Sequence, residues 1–154
     1  MWDKILKGAM AVAGAIAGIF GGWNALLTIL AVCMVLDYIS GLIVAAMGRS
    51  PKTPGGGIDS KVGFNGLAKK AFIILIVLLA TVLDNALGVG RMVFQTAATC
   101  YYIGNEGLSI VENAGIIGVP VPAGLKRAME QLRDKNDNTG GGDDDDKPPE
   151  DPAE

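Results

Sequence analysis

Residues 25–47 read ALLTILAVCMVLDYISGLIVAAM, 23 residues whose only ionisable groups are Cys33, Asp37 and Tyr38. As a helix this stretch is about 35 Å long, enough to cross a hydrocarbon core of about 30 Å. A helix of a soluble domain keeps a charged face for water, and this one has none. Residues 71–87, AFIILIVLLATVLDNAL, repeat the pattern with Asp84 as the sole ionisable group. Two such segments in a chain that is 50% apolar predict an all-α membrane protein.

Between the two segments the chain turns polar. Pro51, Pro54 and the run Gly55-Gly56-Gly57 mark a loop, and residues 48–70 carry Arg49, Lys52, Lys61, Lys69 and Lys70 against Asp59 alone. That basic excess assigns the loop to the cytoplasmic side. After the tight turn at Gly88–Arg91, residues 92–117 form a further segment with many polar side chains, ended by Pro120 and Pro122. Residues 123–135 read as a short amphipathic helix, with Leu125, Met129 and Leu132 on one face and Lys126, Arg127 and Arg133 elsewhere.

The start of the chain, about residues 5–20, is rich in Ala and Gly and follows Lys4 and Lys7. It resembles the opening of a secretory signal peptide, but no clear cleavage site precedes a soluble region. Sixteen residues make about 24 Å of helix, so the segment is a short span or an interfacial helix. The first reading gives four spans, at about 5–20, 25–47, 71–87 and 92–117, with both termini cytoplasmic. The second gives three. Gly21 to Asn24 break the helix, and Trp23 suits a membrane interface.

The formal net charge of −3 hides a division. Residues 134–154 hold nine acids against Lys135 and Lys147, leaving seven acids and eleven bases in residues 1–133. A basic membrane domain, residues 1–135, thus carries an acidic tail, residues 136–154, whose Gly, Asp, Pro and Glu predict disorder. Its Asp143–Lys147 run fails the calcium-loop pattern because Pro148 stands where a turn glycine is needed. The same string is a protease-cleavage sequence used in recombinant fusions, so a natural solvated tail and a vector remnant both remain open.

Enzymatic constellations are missing. There is no histidine, which excludes Ser-His-Asp and Cys-His nucleophiles. Cys33 and Cys100 form no CxxC pair and read as small buried hydrophobes. The intramembrane acids Asp37, Asp84 and Glu106 lack the sequence contexts of an aspartic protease pair. The chain is expected to be no enzyme and to have no cofactor, metal or nucleic-acid partner.

Polar residues inside apolar segments are more informative. Gln95, Thr99, Tyr102, Glu106, Ser109 and Asn113 follow at spacings of 4, 3, 4, 3 and 4, one stripe of one helix. Such a stripe cannot face lipid, so it either lies between helices or lines a wet lumen. Asp37, with Cys33, Ser40 and Gly41 on its face, is either a structural hydrogen-bonding acid or one that controls assembly or lines a water path. Asp84, near the external end of its segment, is read as structural, within reach of Arg91 or the interface. Gly14, Gly18 and Gly22 match a small-residue spacing that lets helices approach closely, a weak sign of oligomers.

Four stretches carry a further signal: Leu36–Leu42 (LDYISGL), Ser60–Lys70 (SKVGFNGLAKK), Asn105–Gly115 (NEGLSIVENAG) and Gly118–Lys126 (GVPVPAGLK). In this order they resemble the toxin-secretion/phage-lysis holin family, over about residues 25–133. The Ala/Gly-rich start, the insertion at 51–58 and the acidic tail fall outside the resemblance. It implies a homo-oligomer in the lipid bilayer of the host bacterial cytoplasmic membrane, opening it to an endolysin or a toxin. No catalytic residues carry over. Under this resemblance the stripe on 92–117 becomes the candidate lumen lining. The alternative is a small structural or accessory membrane subunit that binds a partner and opens nothing.

Overall fold

The computed structural model describes residues 2–88 and 92–137. The acidic run of the tail and Arg91 lie outside the described residues, and with them the expectations placed on both. Five helices follow in order: α1 (Trp2–Ile19), α2 (Ala25–Ala46), α3 (Ser60–Leu87), α4 (Val93–Ile117) and α5 (Ala123–Asp137). Among the described residues α2 and α3 are the two helices long and apolar enough to cross a bilayer. The polar stripe of α4 keeps that 25-residue helix out of the class.

The main departure from the sequence reading is α3, which begins at Ser60 and not near Ala71. Asp59 is the cause: its carboxylate accepts hydrogen bonds from the backbone N–H groups of Lys61 and Val62, capping a helix start that hydropathy cannot register. Lys61, Lys69 and Lys70 are therefore helical. The loop that remains, residues 47–59, folds on itself, with Ser50 N–H donating to Gly56 C=O at 2.9 Å and Thr53 Oγ1 to Gly57 C=O at 2.9 Å. Gly56 has φ +75 and packs against the Gly48 carbonyl, so a side chain fits neither its backbone nor its space. At the other end, α5 runs two residues past Lys135, to Asp137.

Helix α4 is the centre of the bundle. It packs along α5 and α2 most extensively and along α3 next, while α2 and α3 touch each other little. One apolar cluster joins Phe20, Leu27, Leu30 and Met34 to Ile73, Val77 and Ile103. Outward, α2 and α3 present Ile29, Val32, Val35, Ile74, Leu75 and Val82, a surface suited to lipid. Helix α1 stands apart: a side chain at Gly14, Gly18 or Gly22 would meet nothing within 4 Å. Within one chain these glycines pack against no other helix.

Candidate functional site

The stripe of α4 faces inward. Gln95 is 2% exposed, Thr99 1%, Glu106 5% and Asn113 6%, while Tyr102 and Ser109 are half-buried. Each helix contributes a face at helical spacing: Leu27, Leu30 and Met34 on α2, and Lys70, Ile73, Val77, Thr81 and Asp84 on α3. Where these faces meet α4, polar groups pair at three levels.

At the α1–α2 end, Gln95 is the hub. Its Nε2 donates to Thr81 Oγ1 at 2.8 Å and to the Phe20 carbonyl at 3.2 Å, and its Oε1 accepts from Asn24 Nδ2 at 3.1 Å. Asp84 is part of this level. Its two carboxylate oxygens accept from the backbone N–H groups of Phe94 (3.0 Å) and Gln95 (2.8 Å), the first turn of α4. Met92, at the N-cap, offers no side-chain bond, so a residue of α3 caps α4. Replacing Asp84 with alanine is expected to cost about 1–2 kcal/mol, the usual loss for a missing cap, with α4 fraying at Val93–Thr96. Amide hydrogen exchange in detergent micelles checks this, and unchanged protection at Phe94 and Gln95 contradicts it.

Near the middle of the three long helices lies an ion cluster. Lys70 Nζ of α3 donates to Asp37 Oδ2 of α2 at 2.7 Å and to Glu106 Oε2 of α4. Lys70 is 8% exposed, and the cluster holds two carboxyl groups against one ammonium. The lysine stem runs along apolar side chains of the α2–α3 groove, so only the head is polar. Sequence reading singled out Asp37 and Glu106 but left Lys70 in a loop. Its signal was there: stepping back from Asp84 by helical intervals through Thr81, Val77 and Ile73 lands on Lys70.

At the third level Asn113 Nδ2 donates to Ser40 Oγ at 2.8 Å, and Ser40 Oγ donates to the Asp37 carbonyl at 3.0 Å. Gly41 lies against this amide, 3.8 Å from a Cβ that an alanine would add. Thr99 Oγ1 turns back to the Gln95 carbonyl at 2.6 Å. Tyr102 packs edge-on to Tyr101, ring centres 5.1 Å apart. Cys33 and Cys100 are free, half-buried thiols on different helices. The stripe is thus an inter-helix seam within one chain, its main polar groups each given a partner.

A central helix zipped to two apolar helices by buried polar groups describes a membrane bundle but not its family. The sequence model of the bacteriophage holin family matches residues 14–134, most of the chain. This chain belongs to that family. Among relatives of the holin chain, an uncharacterised protein of Clostridium perfringens is 37% identical, with 77% of this chain and 82% of the relative covered. An uncharacterised protein of Halalkalibacterium halodurans is 39% identical over 85% of this chain and 96% of its own. A probable holin of Bacillus phage phi105 is 30% identical over 72% of this holin-family chain and 76% of its own. No solved structure matches.

Proposed function

We propose that this chain is a working holin: copies oligomerise in the host's cytoplasmic membrane and permeabilise it, allowing an endolysin or a toxin out and the cell to lyse. The observation that carries the reading is the holin-family match over residues 14–134. The bundle supports it, because a chain with two apolar outer helices and a polar interior is stable in lipid while holding water-compatible groups in reserve. In the closed chain the α4 stripe acts as the seam that joins the helices. The open glycine face of α1 is the proposed contact between copies. Expression in a bacterium with and without a co-expressed endolysin tests the role, following membrane potential and culture density. Permeabilisation predicts depolarisation in both strains and a fall in density only with the endolysin. A membrane that stays polarised leaves the accessory-subunit reading, which the internal pairing of the stripe also suits.

The topology follows from charge. Arg49, Lys52 and Lys61 cluster at one end of the bundle, where α2 ends and α3 begins. That end is proposed to be cytoplasmic; α4 returns the chain to it at Gly118, and the C-terminus is proposed to lie on the same side. Reporter fusions after Pro54 and after Gly142 should therefore report the same compartment. Opposite compartments would remove α4 as a membrane span.

A further inference from the structure

Helix α5 is placed where a charged helix does not belong in lipid. It lies back along α4: a Cβ at Gly104 would stand 2.7 Å from Arg133 N and 2.8 Å from Met129 C=O, and Gly107 sits against the Met129 side chain. Gly104 is eleven residues from the start of α4, about 17 Å along the axis. The C-terminal part of α5 therefore reaches roughly the middle of a slab of about 30 Å that starts where α4 starts. The exposed apolar residues of the outer helices fix the same slab. Those of α3 run from Leu87 to Phe64, about 35 Å, and those of α2 continue to Met47, well past the level of Lys70.

At that depth α5 exposes Gln131 and Asp134, while Arg127 and Lys126 lie about 9–11 Å nearer the end where α4 stops. Arg127, Gln131 and Asp134 share one face at spacings of 4 and 3. A second observation points the same way. A groove of about 560 Å³ between α3 and α4 is lined by the polar Asn65, Lys69, Asn105 and Glu106 as well as by the apolar Phe72 and Ile76, and Asn105 adjoins the Gly104 contact with α5. Asn65, Lys69 and Asn105 are exposed. The groove on the other side, between α2 and α3, is apolar apart from Lys70 and the tips of Trp23 and Tyr38. The α2–α3 face is apolar, whereas α5 and the adjoining groove set exposed polar groups, which lipid would penalise, among apolar ones.

We propose that the outer face of α5 and the adjoining α3–α4 groove form the water-facing wall of a lumen enclosed by several copies of this chain. The inference rests on the permeabilising role proposed above and assigns it a surface: α5 and its groove, with the α4 stripe serving as the seam behind them. Copies arranged about an axis with this face inward and the α2–α3 face outward satisfy both.

The test uses the full chain with Cys33 and Cys100 replaced by alanine, in planar bilayers. Single cysteines are placed at Arg127, Gln131 and Asp134 on α5, at Lys69 and Asn105 in the groove, and at Ile29 and Ile74 on the lipid face. A charged, water-soluble thiosulfonate reagent is expected to lower conductance at least about twofold at the α5 and groove positions and to leave the lipid-face variants unchanged. Arg127→Glu is expected to shift the reversal potential in a salt gradient toward cation selectivity. Because Lys69 and Asn105 lie outside α5, they decide the matter even if an α5 variant fails to insert. Reagent that labels α5 and the groove from one chamber only, with conductance and selectivity unchanged, overturns the lumen wall and puts α5 on the membrane surface. A parent protein that inserts and conducts nothing overturns the permeabilising role itself.

Discussion

Lys70→Met is expected to unfold the bundle at temperatures the parent withstands. The substitution keeps most of the unbranched stem and removes the ammonium, leaving Asp37 and Glu106 facing each other with no cation between them. Removing one partner of a buried ion pair costs about 3–5 kcal/mol, because the remaining charge stays desolvated. Proteins commonly hold about 5–15 kcal/mol in all. Thermal unfolding in detergent micelles should show a midpoint lowered by about 10 °C or more. Combining Lys70→Met with Asp37→Asn and Glu106→Gln should recover much of the loss, since the neutral set can hydrogen-bond without a counter-ion. Asp37→Asn alone should be mild, as Glu106 still holds the lysine. A Lys70→Met protein that melts with the parent would show that the cluster contributes nothing to the fold.

The second large effect is expected at Gly104. An added Cβ would stand 2.7 Å from the backbone of Arg133, and backbone cannot move aside as a flexible side chain can. Gly104→Leu should therefore release α5 from α4, and Gly104→Ala should strain the contact by about 1–3 kcal/mol. Trypsin reports the change directly, because Lys126, Arg127 and Arg133 lie on the displaced helix and cleavage should become rapid. Gly115→Ala is the matched control on the same helix, with nothing within 4 Å of the new atom. If the leucine variant resists trypsin as the parent does, α5 is not held at Gly104.

Much of this architecture is legible in the residues. Apolar length marks α2 to within a residue, and the polar stripe with the flanking prolines marks α4. Hydropathy fails at α3, because its first eleven residues mix Lys61, Asn65, Lys69 and Lys70 with apolar ones. The helix start there is set by one carboxylate, that of Asp59, which a hydropathy window averages away. The same averaging hid Lys70. The six-residue stripe is visible in sequence as a stripe, but its partners on α2 and α3 are separated from it by up to 73 residues. Only the packed bundle reveals that they satisfy it. Glycine spacing drew attention to α1, whereas the glycines that admit a neighbouring helix are Gly104 and Gly107. They are marked less by their own spacing than by Met129 and Arg133 across the contact.

The scant contact between α2 and α3 has a consequence for the order of events during synthesis. These two helices leave the ribosome before α4, yet most of what binds either of them is on α4. Until α4 follows, Asp37 and Lys70 have only each other, and Thr81 and Asn24 wait for Gln95. The early helical pair is then a loosely joined hairpin, and most of its tertiary contacts form only when the last long segment is delivered. Each nascent chain thereby passes through an interval in which its exposed acid and base can be met by groups of a neighbour.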